Sequence, residues 1–134
     1  MKNKMTIGTL ILSAVIVVLC VVMYHKYIYP IYLKNKRQTT QIELNSSNEI
    51  MLKKTAEQNH IYLIEIELTG RSNSNLSIIV VDSIGIPQQE IRLKKGDIDY
   101  IYKNDWYSPE CKLQFSSKEK MSGKLVIDYR FLGL

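Results

Sequence analysis

The fold class that this sequence predicts is an N-terminal transmembrane α-helix followed by a small all-β antiparallel sandwich or barrel of about six strands. Three observations lead there: an uncharged apolar run of 20 residues near the N-terminus, a switch to period-two alternation from residue 60 onward, and a charge distribution that separates the two parts. Of the 18 Lys and Arg, six (Lys2, Lys4, Lys26, Lys34, Lys36 and Arg37) fall within residues 1–37, which hold no acid. Residues 38–134 carry 12 basic and 13 acidic side chains, so the formal charge of +5 belongs to the flanks of the apolar run. A near-neutral remainder lacks the basic stripe that a nucleic-acid-binding domain needs, and no nucleic-acid partner is expected.

Residues 1–4 form a basic tail and residues 5–24 (MTIGTLILSAVIVVLCVVMY) the membrane segment, with 16 of its 20 residues apolar and neither charge nor proline among them. At 1.5 Å per residue such a helix spans roughly 30 Å, the hydrocarbon thickness of a bilayer. Val and Ile are mediocre helix formers in water, but in lipid the backbone must satisfy its own hydrogen bonds, and helix wins. A cleaved secretory signal has a shorter apolar core and a small-x-small site. Here bulky Val22, Met23 and Tyr24 stand where small residues are needed, and Leu19 rather than a small residue precedes Cys20, so the segment reads as an uncleaved signal anchor.

The membrane-interface residues expected are Lys2 and Lys4 on one side and Tyr24, Lys26, Tyr27, Tyr29, Tyr32 and Lys34 on the other, where amphipathic rings and long cationic stems sit at headgroup level. Pro30 removes a backbone donor and disfavours helix at Tyr29, so a kink or a stop is expected there. The cations flanking the run nearly balance, Lys2, Lys4 and the terminal amine against Lys26, Lys34, Lys36 and Arg37, a count that leans slightly toward a cytoplasmic C-terminus. A short charged N-terminus before a single span is the usual export-anchor layout, which places the C-terminal domain outside the cytoplasm, periplasmic or extracellular.

Residues 25–59 read as a juxtamembrane segment and stalk. Ser46-Ser47-Asn48-Glu49 resembles a capping box that would open a short helix over 47–58; a flexible stalk is the competing reading. The β-domain is expected over 60–134. Residues 61–69 place Tyr62, Ile64, Ile66 and Leu68 on one face and Glu65 and Glu67 on the other. Residues 76–82 (LSIIVVD) read as a covered strand, followed by strands at 88–93, 98–103, 112–116 and 124–131. The last sends Leu125, Ile127, Tyr129 and Phe131 inward, while Cys111 opens an inward series with Leu113 and Phe115. Cys20 in the apolar run cannot pair with Cys111 within one chain. Cys111 is read as a small buried apolar residue.

Catalytic constellations are sparse. His25 and His60 lack a Cys or a second His at metal-ligand spacing, and no G-x-S-x-G, phosphate-loop or dinucleotide motif occurs; no cofactor and no metal are called for. Asp97, Asp99 and Asp105 share a strand parity, but Lys94, Lys95 and Lys103 stand near, and cross-strand ion pairs explain the pattern better than cation binding. The most distinctive stretch is 103–111 (KNDWYSPEC), which holds the single Trp in a turn-rich connection. Asn104, Asp105, Trp106 and Tyr107 are the candidate partner-binding residues, since Trp and Tyr anchor interfaces and can stack on sugars; the alternative is that Trp106 plugs one end of the sandwich.

The N-terminus (MKNKMTIG), the apolar helix, Pro30 and Tyr32 together resemble type IV pilins and pseudopilins. The resemblance covers about 25 residues and implies cleavage after Gly8, a long bent helix ending near residue 60 and assembly into a filament. The chain departs from that pattern at Thr9, Ser13 and Lys26. The leading expectation is a single-pass, non-catalytic binding or interaction module at the cell envelope, with the lipid bilayer and another envelope or membrane protein as partners. A pilin-like assembly subunit is the alternative and a small envelope hydrolase the third reading.

Overall fold

The computed structural model describes residues 2–45 and 48–134, and the chain divides into two compact units, Met1–Lys34 and Asn35–Leu134. The first is helical: α1 (Lys2–Met23), a five-residue π-helical turn (Tyr24–Ile28) and α2 (Tyr29–Lys34). Thr6–Lys34 is one apolar helix of 29 residues with a mean hydropathy of 2.8 in its most apolar window, long enough to cross a membrane by length and composition. Within the run the Ser13 hydroxyl donates to the Leu10 carbonyl at 2.8 Å, so this polar side chain is satisfied inside its own helix.

The kink or stop expected at Tyr29 takes a different form, because the helix continues through Pro30 to Lys34. The π turn lies immediately before the proline, with the Tyr29 N–H bonded to the Tyr24 carbonyl. Its wider ring accommodates a residue that has no N–H and whose pyrrolidine crowds the preceding turn. The helix ends far short of residue 60, where the pilin resemblance had placed the change to strands.

Among its described residues the second unit holds eight strands: β1 (Gln38–Glu43), β2 (Glu49–Lys53), β3 (Ile61–Ser72), β4 (Leu76–Val81), β5 (Pro87–Leu93), β6 (Gly96–Asp105), β7 (Glu110–Ser116) and β8 (Gly123–Gly133). They form two antiparallel four-stranded sheets, β1-β8-β3-β6 and β2-β7-β4-β5, in the jelly-roll order. The sandwich predicted from the alternation is therefore present, with all six predicted strands and two more.

The two additional strands correct the reading of residues 38–59. In place of a stalk or a helix over 47–58, β1 zips onto β8 (Gln38 opposite Tyr129, Glu43 opposite Lys124) and β2 onto β7 (Glu49 opposite Gln114, Lys53 opposite Glu110). Ile42, Leu44 and Leu52 are buried in the core, and that burial outweighs the local helix signal. Ser46 and Ser47 of the supposed capping box lie outside the described residues. Asn48 uses its carbonyl to accept the Phe115 N–H at 2.6 Å. Gln58, expected in the stalk, is fully buried: its Nε2 donates to the Phe131 carbonyl and, at 2.8 Å, to Asn35 Oδ1.

The core lies between the sheets. Ile64, Ile66 and Leu68 of β3, Leu125, Ile127, Tyr129 and Phe131 of β8, Ile78 and Val80 of β4, and Cys111, Leu113 and Phe115 of β7 all point into it. Each fully buried aliphatic contributes about 1.5–3 kcal/mol of transfer free energy, so a sandwich of this size needs them collectively. Burial also pushes the Cys111 thiol up to about 12, which leaves it an inert apolar filler at neutral pH. Tyr62 departs from its expected face. The register of β3 on β8 shifts between Ile61 and Leu63, a bulge that buries Ile61 and turns Tyr62 outward.

Candidate functional site

Alternation of strands between the sheets gathers the connections at two poles. The β2–β3, β4–β5 and β6–β7 connections share one pole with Asn35 and the C-terminus; the β3–β4, β5–β6 and β7–β8 connections share the other. The candidate residues Asn104 to Tyr107 lie at the first pole, where β6 ends.

Trp106 is buried, 3% exposed. Its indole N–H donates to the Glu110 carbonyl at 3.2 Å and its backbone N–H to the Tyr62 carbonyl at 3.1 Å, so it closes this end of the core and ties the β6–β7 connection to β3. Tyr107, the next residue, is 79% exposed. Asn104 sends its Oδ1 to the Asp105 N–H at 3.0 Å, and Asp105 is exposed at the rim. The structure thus gives the two aromatic neighbours opposite placements: one fixes the loop and the other projects from it.

Facing this connection is the β4–β5 hairpin turn. Asp82 organises it through five hydrogen bonds, one of them from the Gly85 N–H to its carbonyl at 3.1 Å. Its Oδ1 accepts the Ile84 and Ile86 N–H groups at 3.1 and 2.9 Å, its Oδ2 accepts from Gln88 Nε2 at 2.9 Å, and its own N–H donates to the Ile86 carbonyl. Gly85, at a φ of +87°, supplies the left-handed residue that the turn requires. Ser108 Oγ accepts the Ser83 N–H at 3.1 Å and joins the two connections.

Between them is a shallow cavity of about 280 Å³ lined by Asp82, Ile84, Gln88, Asp105, Trp106 and Tyr107, among others. Ile84 is 76% exposed and Ile86 half exposed, so three large apolar side chains stand outward on backbone held by side-chain hydrogen bonds. Sequence reading missed Ile84 and Ile86. The signal available was two isoleucines flanking a glycine inside a turn (Ser83-Ile84-Gly85-Ile86-Pro87), where apolar residues have no strand face to occupy.

The expected interface tyrosines of the helical unit are exposed: Tyr24, Tyr27, Tyr29 and Tyr32. Lys26 Nζ stands 5.5 Å from the centroid of the Tyr27 ring, and His25 contacts Tyr24 and Tyr29 edge-on. Lys2 and Lys4 lie in the first turns of α1, and Lys34 is the last residue of α2. Among the described residues, no group of three or more His, Cys, Asp or Glu side chains could hold a metal ion.

No protein-family model and no curated protein matches the chain. Solved structures do resemble it. A Bacillus endospore appendage from a family of disulfide-linked pili aligns over 75% of this chain and 88% of its own at 8% identity, with a TM-score of 0.47. The Yersinia pseudotuberculosis-derived mitogen aligns over 72% and 86% at 14% identity and a TM-score of 0.45. A family 29 carbohydrate-binding module aligns over 75% of each chain at 12% identity and a TM-score of 0.42.

Proposed function

We propose that the protein is a membrane-anchored, non-catalytic interaction module of the cell envelope, and that it meets another envelope protein through the paired 82–86 and 106–109 connections. The observation that carries this reading is the outward placement of Ile84, Ile86 and Tyr107 on two turns that Asp82, Ser108 and the buried Trp106 hold in place. Apolar and aromatic side chains on pre-ordered backbone lose little entropy on binding, which is how small interfaces become specific. The bare length and apolarity of Thr6–Lys34 support the anchor. Confinement to a membrane raises the effective concentration toward partners in the same bilayer, so a small patch suffices. The β-domain lies outside the cytoplasm, in keeping with the short charged N-terminus before the span.

Site-specific photocrosslinking tests the contact. A photoreactive residue at Tyr107 or Ile84 of the full-length protein in intact membranes should give one discrete protein adduct that is absent when the probe sits at Asp99. Equal labelling from all three positions, or none from any, would reject the proposed surface. An epitope after Leu134 that stays protected when protease is added to intact cells or spheroplasts would reverse the orientation.

A further inference from the structure

At the opposite pole the near-neutral charge of the β-domain turns out to be unevenly distributed. A cavity of about 560 Å³ is lined by Arg71, Lys95 and Lys124 together with Ser72, Asn73 and Ser122, and among the described residues no carboxylate lines it. Beside it a second cavity of about 750 Å³ has Lys94, Lys118 and Arg92 in its wall with Glu90 and Glu119. Glu90 is occupied locally, accepting from Ser77 at 2.6 Å and Arg92 at 3.1 Å. Lys94, Lys95 and Lys118 form no ion pair among the described residues.

The β-sheet register sharpens this. Across the outer face of the β1-β8-β3-β6 sheet one row reads Glu43, Lys124, Arg71, Asp97, so two cations stand directly opposite each other at its centre. Like charges in that relation destabilise a strand pair. The Arg71–Asp97 contact, at 4.0 Å with both side chains more than four-fifths exposed, offsets little of it. An anion between the two would remove the repulsion.

The surrounding connections are already ordered. Asn73 Oδ1 accepts the Ser122 N–H at 2.7 Å while the Asn73 N–H donates to the Ser122 carbonyl at 3.0 Å, joining β3–β4 to β7–β8. Asn75 Oδ1 accepts the Lys95 N–H at 2.9 Å, joining β3–β4 to β5–β6. Gly70 and Gly123, both at positive φ, lie where β3 and β8 approach so closely that a Cβ on either would strike the facing carbonyl, which holds Arg71 and Lys124 together. Ser72 is buried and its hydroxyl already donates to the Ser74 carbonyl at 2.8 Å, so Ser122 and Asn73 are the neutral hydroxyl and amide groups beside the cations, a mix that suits phosphate oxygens. Among the described residues no aromatic ring lines either cavity, so nucleobases would find no stacking platform.

We propose that this pole binds a polyol phosphate chain, a flexible phosphodiester polymer without bases, with successive phosphates meeting Arg71, Lys95 and Lys124 in the first cavity and Lys94 and Lys118 in the second. The surface is separate from the 82–86 and 106–109 connections and stands or falls independently of them.

The test uses the full-length protein in nanodiscs of zwitterionic phosphatidylcholine, titrated with poly(glycerol phosphate) at several salt concentrations. With about three phosphates engaged, log K should fall against log salt with a slope near −2, roughly 15-fold between 50 and 200 mM. The triple variant Arg71→Gln, Lys95→Gln, Lys124→Gln should bind at least tenfold more weakly, whereas Lys2→Gln with Lys4→Gln should bind like the parent. Should the triple variant melt early, the exposed pair Lys94→Gln and Lys118→Gln decides, with an expected loss of at least threefold. The proposal is overturned by absent binding at 50 mM salt, by variants at this pole that bind like the parent, or by tighter binding of single-stranded DNA or of a polycarboxylate such as polygalacturonate.

Discussion

Arg130 Nε donates to Glu65 Oε2 at 2.6 Å, joining β8 to β3 across the outer face of the sheet, where the two residues are register partners. Glu65 is nearly buried although it faces outward, because Arg130, Lys103 at 3.1 Å and Arg37 at 3.4 Å fold their stems over it. The Arg130 hydrogen bond, reinforced by Lys103, holds the Glu65 carboxyl below the usual carboxylate range despite an opposing desolvation.

A depressed folded-state pKa means that Glu65 stabilises the fold above its unfolded pKa, about 4.3, and that this contribution is lost as pH falls through the lower folded value. Glu65→Gln should therefore destabilise the protein by about 1–2 kcal/mol at pH 7. The gap between variant and parent should narrow below pH 4. Thermal melts of the full-length protein in detergent, followed by near-ultraviolet circular dichroism, check both points; a gap that stays constant down to pH 2 would refute the assignment.

Trp106 should behave as a core residue. Its emission should be blue-shifted and resist bromide quenching, and Trp106→Ala should cost about 3–5 kcal/mol by leaving a cavity at the end of the sandwich. Tyr107→Ala should shift the melting temperature by no more than about 2–4 °C, since surface changes of this kind are usually worth under ~0.5 kcal/mol. A red-shifted, readily quenched Trp106 would break this pairing of roles.

Cys111 should be unreactive while the protein is folded. With its thiol pushed up to about 12 and no exposed surface, a maleimide reagent at pH 8 should modify a Cys20→Ala protein only at the rate of unfolding. Mass spectrometry over a denaturant series measures this directly, and rapid labelling in buffer is the contrary result.

Gly123→Ala should be among the most damaging single-methyl changes in the chain. The residue sits at a φ of +131°, and a Cβ there would meet the Arg71 carbonyl, which is backbone and cannot swing away. Strain of about 1–3 kcal/mol from the φ alone adds to that clash. Gly85→Ala, also at positive φ but with open space around the new carbon, should cost less. Equal losses in the two variants would show that the β3–β8 approach plays no part.

A soluble fragment should begin at Asn35 and not at Gln38. Asn35 Oδ1 accepts from Gln58 Nε2 at 2.8 Å and from the Gly133 N–H at 3.0 Å, and removing it leaves a buried amide with one partner fewer. The 38–134 fragment should melt below the 35–134 fragment by an amount corresponding to about 1–3 kcal/mol. Coincident melts would show that Asn35 is dispensable.

The helix and six of the strands were legible in the sequence because each rests on a local pattern: an uncharged run long enough for a bilayer, and side chains that alternate along a few consecutive residues. Leu125 to Phe131 carries its own burial in its spelling, and so does Cys111 with Leu113 and Phe115. The strands at 38–43 and 49–53 were not legible, since their short polar segments become strands only through pairing with β8 and β7, some 60 to 90 residues away. The bulge that turns Tyr62 outward, the turn that brings Ile84 beside Tyr107, and the cations that two connections gather around Arg71 and Lys124 depend likewise on register between distant strands. Composition counted the domain as close to neutral; only the order of strands in the two sheets decided which charges became neighbours, because Coulomb interactions follow distance in space and not along the chain.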